Sequence, residues 1–395
     1  MKNNWETKTL GEVCDVVTGS TPKTSNKKFY GDFMMWAGPA DLDLDFYIVD
    51  TKKKLSQEGV VKGGVRVVPK NSVLMSCIGY IGKLGIAAED MATNQQINTF
   101  IPDNKILDSK FLFYQLKTKT EDFKKRSSQA TLAIINKTKC SEVSIEFPEL
   151  SEQKRIVGIL DEKFKAIEEL KKVTEAQIQD AKELFESRLS EVFENKARDW
   201  SNAKLFDYIK FIDYRGRTPK KTKSGIKLIT AKNIKKGYLQ NDPEEFIACN
   251  DYEAWMTRGI PLKGDILFTT EAPLGNVAKL DTDEKVAFAQ RTIIFQMDRK
   301  IFDPGFLFYL LLSKPFQTNI LGQATGATVL GIKSSLLKKI EISFPKSLDK
   351  QKLIFLELYE LSEKKDSLEK VFLKKIQDLD ELKKSYLEQA FEGKL

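Results

Sequence analysis

The chain is predicted to fold as duplicated α/β (α+β) globular domains joined by two long antiparallel coiled-coil helices, a pseudo-two-fold dumbbell. Three observations predict it: an internal repeat of half a chain length, a heptad stripe that follows each copy, and basic clusters at equivalent places in both. Phe111-Leu112-Phe113-Tyr114 recurs letter for letter as Phe306-Leu307-Phe308-Tyr309 in a chain of 395 residues. Its neighbours recur in the same order. Thr21-Pro22-Lys23 is matched by Thr218-Pro219-Lys220, Gln95 by Gln290, and Gln129-Ala130-Thr131 by Gln323-Ala324-Thr325. Ile145-Glu146-Phe147-Pro148 answers Ile342-Ser343-Phe344-Pro345, Gln153-Lys154-Arg155-Ile156 answers Gln351-Lys352-Leu353-Ile354, and Phe193-Glu194 answers Phe391-Glu392. Solenoid repeats run roughly 20–50 residues, so this period marks a duplicated domain-plus-tail unit. Two copies imply two similar things bound at once.

Within each copy the globular part comes first. Val65-Arg66-Val67-Val68, Ser72-Val73-Leu74-Met75, Ile226-Lys227-Leu228-Ile229 and Gly264-Asp265-Ile266-Leu267-Phe268 read as strands bounded by Gly, Pro or Asn. Glycine loops follow at residues 79–85 and 272–278. Residues 109–120 and 304–314 read as amphipathic helices with the shared tetrapeptide on the buried side. Each globular part closes on a strand ending in Phe-Pro.

Beyond Pro148 and Pro345 the texture changes to long, charged helix. Apolar residues recur at heptad spacing: Leu160, Phe164, Ile167, Ile178, Ala181, Phe185 and Val192, then Ile354, Leu358, Leu361, Leu368, Phe372, Leu379, Leu382 and Tyr386. Lys171, Thr174, Arg188, Lys365 and Lys375 interrupt the stripes. That pattern is a coiled-coil seam. Ser151 is placed to cap the first helix and Gly393 to stop the second. At 1.5 Å per residue the stretch from Ser151 to Glu194 spans ~66 Å. Pairing within the chain is favoured because the partner is tethered at high effective concentration; pairing with another protein is the alternative. The expected parts are a first globular domain at 1–148, a first long helix at 149–198, a second globular domain at 199–345 and a second long helix at 346–395.

Composition bounds the chemistry. The chain is 41% hydrophobic and 30% charged, the balance of a soluble protein with real cores. Its longest apolar run, Phe306 to Leu312, is far short of the ~20 residues of a bilayer helix. The first residues lack an apolar signal core. Cys14, Cys77, Cys140 and Cys249 form no C-x-x-C pair and read as reduced thiols of a cytoplasmic protein. There is no histidine, which removes imidazole bases, histidine-dependent triads and most zinc sites.

No catalytic or metal-binding constellation emerges. Gly79-x-x-Gly82-x-x-Gly85 departs from a P-loop because Lys83 is followed by Leu84, and G-x-G-x-x-G is absent. A methyltransferase motif of the Asn/Asp-Pro-Pro-Tyr/Phe type is missing too. Asp43, Asp45 and Asp50 near Lys52, and Asp281, Asp283 and Glu284 near Lys285, read as solvated loop acids.

The net charge is +8, and the cations cluster. Tyr214 to Lys223 holds five of them, Arg215, Arg217, Lys220, Lys221 and Lys223, with no acid; the matching first-copy stretch holds Lys23, Lys27 and Lys28. An anionic polymer is the natural partner. Readout candidates lie nearby: Tyr30, Trp36, Gln95 and Gln96 in the first copy, Tyr214, Asn233, Gln290 and Arg291 in the second. Arg suits guanine edges, and Gln or Asn suits adenine. The two copies differ in these loops, so they are expected to read two different short sequences.

With the repeated domain, the Phe-Pro exit and the heptad tails, the chain resembles the specificity subunit of a Type I restriction–modification system over essentially its full length. The local marks are Leu10-Gly11-Glu12-Val13 and Phe147-Pro148-Glu149-Leu150-Ser151-Glu152-Gln153-Lys154-Arg155-Ile156, close to the family's Pro-Pro-Leu-x-Glu-Gln-x-x-Ile. The second copy departs from it: Lys350 stands for the Glu before Gln351, and one residue is added. The resemblance implies two target recognition domains, each reading half of a split site in double-stranded DNA. It implies helices that set the unread gap and dock two modification (methyltransferase) subunits, with restriction (motor and nuclease) subunits able to join. S-adenosylmethionine, ATP and Mg would belong to those partners, and this chain would be non-catalytic. The rival expectations are a standalone DNA-binding structural or regulatory protein and an enzyme with a carboxylate site that would cleave DNA with a metal. Replacing Arg215 and Arg217 together by Ala should impair one half-site and spare the other; binding titrations on DNA with each half scrambled in turn check this, and equal loss at both halves refutes independent readers.

Overall fold

The computed structural model describes residues 4–43, 46–128, 132–214, 216, 218–289, 291–326 and 328–395. By its contacts the chain divides into two units, Met1–Thr174 with Lys374–Leu395, and Glu175–Leu373. Each unit contains one globular part and half of each long helix.

The first unit runs β1 (Glu6–Thr9), α1 (Leu10–Val13), β2 (Cys14–Thr18), β3 (Tyr30–Ala37), β4 (Tyr47–Ile48), β5 (Lys54–Leu55), α2 (Gln57–Lys62), β6 (Val67–Val68), β7 (Val73–Ser76), β8 (Leu84–Ala87), β9 (Met91–Thr93), β10 (Ile97–Pro102), α3 (Ser109–Thr118), α4 (Thr120–Arg126), α5 (Lys137–Ser141) and β11 (Ser144–Phe147). It continues into the long α6 (Leu150–Glu194). Strands order β2-β10-β7-β8-β4 in one sheet and β5-β3-β9-β6 in another, while β1 pairs with β11. Every residue of β7 and β8 is buried, as expected of an apolar strand covered on both faces.

The second unit repeats the plan with β12 (Trp200–Lys204), α7 (Leu205–Tyr208), β13 (Ile209–Asp213), β14 (Lys221–Thr222), β15 (Ile226–Ile229), β16 (Phe246–Ile247), α8 (Tyr252–Trp255), β17 (Ile266–Thr270), β18 (Leu274–Lys279), β19 (Val286–Phe288), β20 (Thr292–Met297), α9 (Pro304–Leu312), α10 (Lys314–Gly322), α11 (Ser334–Leu337), β21 (Glu341–Pro345) and the long α12 (Leu348–Phe391). Its main sheet is β13-β20-β17-β18, one strand shorter at the edge that β4 occupies in the first copy. The strand expected at 65–68 shrinks to Val67–Val68, between Gly63-Gly64 and Pro69, which break the ladder. The helix expected at 304–314 stops at Leu312, where extended Ser313 turns the chain, and α10 starts with Pro315 in its first turn.

The repeated tetrapeptide forms the centre of each core. Asp108 caps α3 by accepting the N–H groups of Lys110 and Phe111 at 2.9 and 3.0 Å, and Asp303 does the same for Gly305 and Phe306. Phe111 then meets Trp5 and Phe391, at 6.0 and 5.2 Å between ring centres. Phe306 meets Trp200 and Phe193 in the same way, at 6.0 and 5.5 Å. The end of α12 thus does for the first unit what the end of α6 does for the second.

Both motif glutamines are fully buried and act as forks. Gln153 accepts the Asp108 N–H at 2.8 Å and donates to the carbonyls of Ile106 and Pro148 at 2.8 and 2.7 Å. Gln351 accepts the Asp303 N–H at 2.9 Å and donates to Ile301 and Pro345, both at 2.8 Å. One amide satisfies three backbone groups that burial would otherwise leave unpaired. The added residue in the second copy leaves this fork unchanged. Helix α6 begins at Leu150, so Ser151 lies inside its first turn, hydrogen-bonded to Glu149, and does not cap it. Gly393 adopts φ +72° just past α12, as a stop residue should.

Within each unit the long helices pack antiparallel. In the first, Leu160, Phe164, Ile167, Leu379, Ala390 and Phe391 share one core, while Lys171–Asp380 and Glu168–Lys383 close the flanks at 2.9 and 2.8 Å. The hydrogen bond from Lys383 holds the Glu168 carboxyl below its usual range. In the second, Leu189, Phe193 and Leu358 share the core, and Lys182–Glu369 and Arg188–Glu357 pair at 2.8 and 2.6 Å. Ile178, Phe185, Ile354, Leu361 and Phe372 are half-buried. Leu368 and Leu382 correct the expected seam: they are 45% and 41% exposed. A straight α-helix drifts ~20° per heptad from a 3.5 repeat. Half-buried Glu369 and Lys383 take the facing positions instead, with ion pairs at their tips. Thr174, expected to interrupt the stripe, is fully buried with its hydroxyl bonded to Leu170 O at 2.7 Å.

Gln351→Ala should destabilise its unit by about 3 kcal/mol, because three buried backbone groups lose their partner. Thermal unfolding checks it, and a loss below about 1 kcal/mol would remove the fork's structural role. Gln351→Glu should be worse at pH 7 than at pH 4: facing two carbonyls raises the carboxyl's folded pKa, so stability falls as pH rises past its unfolded pKa of about 4.3.

Candidate nucleic-acid interface

In the first unit four loops are stitched into one surface beside the main sheet. The β7–β8 turn bends through Gly79 and Gly82, at φ +74° and +92°. A Cβ on Gly82 would lie 2.5 Å from the Thr120 methyl, so this glycine is there for a close turn and not as a phosphate cradle. Gly79 N–H donates to Ala133 O at 2.9 Å, and Ile78 bridges to Ile134, which fastens the turn to the loop after α4. Cys77 N–H donates to Gln96 O at 2.8 Å, which adds the β9–β10 turn. The Thr21 hydroxyl donates to Gln95 Oε1, and Ser20 N–H to Thr93 O at 2.9 Å, which adds the loop after β2.

This arrangement brings Gln95, Gln96 and Lys23 to one face. Gln95 is exposed and Gln96 half-buried. Lys23, Lys27 and Lys28 are exposed and enter no ion pair among the described residues. Unpaired ammonium groups favour a polyanion. Tyr30 is half-buried: its hydroxyl donates to Pro22 O at 3.1 Å and its ring meets buried Trp36 at 5.9 Å, so both brace the loop that carries Lys23. Tyr80 is a residue that the sequence reading passed over. It is 78% exposed at the tip of the β7–β8 turn, with Lys83 Nζ 5.4 Å from its ring centre. An aromatic between two loop glycines, with a cation directly after the second, was the available signal.

The second unit builds the same surface from different side chains. Ala272 and Gly275, at φ +50° and +86°, shape the β17–β18 turn. Glu271 and Thr325 both bridge to Gly331, and Thr270 N–H donates to Arg291 O at 3.0 Å. Arg291 sits at φ +75° and pairs with Glu271 at 3.0 Å, beside a cavity of about 430 Å³ that Gly216, Thr325 and Lys333 also line. Lys220 and Lys223 are exposed, whereas Lys221 on β14 pairs with Glu245 at 2.8 Å. Arg215, Arg217 and Gln290 lie outside the described residues.

Two readings of this copy are corrected. Asn233 is only 2% exposed: its Oδ1 accepts Thr230 N–H and Oγ–H at 3.0 and 2.8 Å, and its Nδ2 donates to Gln240 and Pro243 carbonyls at 3.2 and 2.9 Å. With its amide spent on backbone, it pins a turn and has nothing left for a base. Tyr214 is buried as well, donating to Gly259 O at 2.8 Å and stacking on Trp255, and burial pushes its phenol pKa up.

Three of the four thiols are buried, and Cys249 is exposed. Burial pushes Cys14 to about 12, Cys77 to about 11 and Cys140 to about 12, which leaves them protonated at neutral pH. Among the described residues no helix is long and apolar enough to cross a membrane.

Comparison with known proteins points the same way. Over 188 residues, 47% of this chain and 43% of the relative, it is 31% identical to the Type I restriction enzyme MjaIX specificity subunit of Methanocaldococcus jannaschii. A match of 31% identity with the HindI specificity subunit of Haemophilus influenzae covers 43% of this chain and 39% of that protein. The chain thus aligns with less than half the length of these two relatives. With the MjaVIII specificity subunit of M. jannaschii the identity is 24%, over 99% of this chain and 93% of the other. Among solved structures, the HsdS subunit from Thermoanaerobacter tengcongensis superposes with a TM-score of 0.62 at 18% identity, covering 100% of this chain and 98% of that one. A chain from a type I R-M system studied for complex assembly and conformational transition superposes with a TM-score of 0.80 at 17% identity, covering 100% and 99%. The model of the Type I restriction modification DNA specificity domain matches twice, at residues 2–179 and 182–378, and the chain belongs to that family.

Proposed function

We propose that this chain is the DNA sequence-recognition subunit of a Type I restriction–modification complex. Each unit reads one half of a bipartite site, and the long helices set the gap and dock two modification subunits, with restriction subunits joining them. One observation carries the reading: two copies of one scaffold present the same stitched surface, with Lys23, Gln95, Tyr80 and Lys83 in one copy and Lys220, Arg291 and Lys333 in the other. The frame is shared and the side chains differ, which is what two readers of unlike half-sites require. The chain works in the cytoplasm, where its DNA is, and itself performs no bond-making step. S-adenosylmethionine, ATP and Mg belong to its partners.

Affinity and specificity divide between residue types. The exposed lysines neutralise phosphates and give binding that weakens with salt. Gln95 suits the paired donor and acceptor of adenine in the major groove. Arg291, once it exchanges Glu271 for a base, suits guanine. Such a bidentate contact discriminates by roughly 1–3 kcal/mol.

Methylation sequencing tests the proposal directly. DNA from cells that express this chain with its neighbouring methyltransferase should carry methyladenine at one split motif that cells lacking the chain do not methylate. An unchanged pattern, with both proteins expressed and assembled, would overturn it in favour of a standalone DNA-binding protein.

The gap follows from rigid spacing. One added base pair shifts a half-site by ~3.4 Å and turns it by about a tenth of a turn. Binding measured over a series of gap lengths should show one preferred length, with specific binding lost and non-specific binding kept one base pair to either side. A flat series would mean that the helices are no ruler.

A further inference from the structure

The two copies differ at one sheet edge, and the first copy shows what the second lacks. On the outer side of β8, Leu84 O accepts the Asp43 N–H at 3.0 Å; on β18, Val277 O accepts the Gly237 N–H at 2.8 Å. From that shared point the first copy runs on as β4, where Phe46 and Ile48 carbonyls accept the Ile86 and Ala88 N–H groups at 3.0 and 3.3 Å. In the second copy the chain turns away at Gly237, φ +99°. Lys279 faces Ile266 just as Ile86 faces Val73, so Lys279 and Asp281 stand where Ile86 and Ala88 do. Among the described residues neither the Lys279 nor the Asp281 N–H has a hydrogen-bond partner.

The side-chain slot beside this edge is open as well. In the first copy β4 delivers Phe46 onto Phe113 and Tyr114, at 4.3 and 5.3 Å, under the Lys110 ammonium at 5.0 Å. In the second copy Phe308 and Tyr309 instead line a cavity of about 560 Å³. Gly305 replaces Lys110 there, Tyr359 replaces Asp161 and Ser362 replaces Phe164. The rim is acidic: Asp281, Glu284, Glu363 and Asp366 against Lys227 and Lys279.

We propose that the outer edge of β18 and this cavity bind an extended, basic segment of a partner protein, which adds as a fifth strand and sets a Phe or Tyr against Phe308 and Tyr309. Edge amides supply affinity by strand addition, and the slot supplies selectivity. The carbonyl of the aromatic residue accepts from Lys279, and that of the residue two places on accepts from Asp281. Because Phe46 fills the first copy's slot, the segment binds once per chain, unlike any partner that binds both copies alike.

The test uses the full chain and a fluorescent peptide, Lys-Leu-Lys-Phe-Tyr-Ile-Val-Lys, which is the first copy's sequence over residues 43–50 with lysine in place of its acids. Anisotropy should show saturable binding, at least tenfold weaker when the peptide's Phe is Ala. Ser362→Phe, which restores the first copy's filling, should weaken it at least tenfold. So should Lys279→Pro, which removes an outward N–H at an edge where proline is tolerated. No saturable binding, or equal binding by both variants, overturns the proposal. Concentration-dependent dimerisation that Ser362→Phe abolishes would also overturn it, by making a second copy the occupant. DNA methylation directed by the Lys279→Pro chain, whose substitution lies on β18 and outside the long helices, should be unchanged, so failure here and failure of the DNA-reading proposal are separately visible.

Discussion

A buried side-chain amide joins each globular part to its helix. At the junction the chain leaves a strand, passes a proline and enters a helix, and it must bury backbone groups that no ladder satisfies. Gln153 and Gln351 solve this twice with the same three hydrogen bonds, one accepted from the N-cap residue of the central helix and two donated to carbonyls. A carboxylate, or an amide one methylene shorter, could not serve all three. The orientation of each sheet on its own helix pair, and therefore of every loop that the sheet carries, rests on that fork.

Conserving the frame leaves the loops free to change. The β7–β8 and β17–β18 turns keep their positive-φ positions, yet one carries Tyr80 and Lys83 while its equivalent carries a proline and an asparagine. Backbone bridges, from Ile78 to Ile134 and from Glu271 to Gly331, hold each turn without side-chain help. Substitutions in such a turn alter what it presents and leave its position alone. The missing fifth strand of the second copy is the same freedom applied to a whole element.

Much of this was legible in the sequence, and for a physical reason. The repeat was visible because the central helix is buried nearly all round, so Phe111 and Phe306 tolerate little change. The long helices were visible because their apolar stripes have a period. Their phase was harder to read: a heptad count put Leu368 and Leu382 in the seam, where helical drift turns them to the side. Site residues were least legible. Asn233 and Tyr214 have the chemistry of readers, but their polar atoms are consumed by backbone groups brought close by folding. Strand order, and with it the open edge of β18, leaves no mark on a linear chain.

The aromatic contact of Phe391 with Phe111 also orders the birth of the molecule. The second unit is one continuous segment, Glu175–Leu373, while the first needs residues from Lys374 onward. On a ribosome the part begun first is therefore completed last: its core waits, with Phe111 uncovered, until Leu379, Ala390 and Phe391 have emerged. Chains cut short before that point would carry a finished second unit and an unsealed first one. Such products expose apolar surface, which exposes them to aggregation or degradation before they can act.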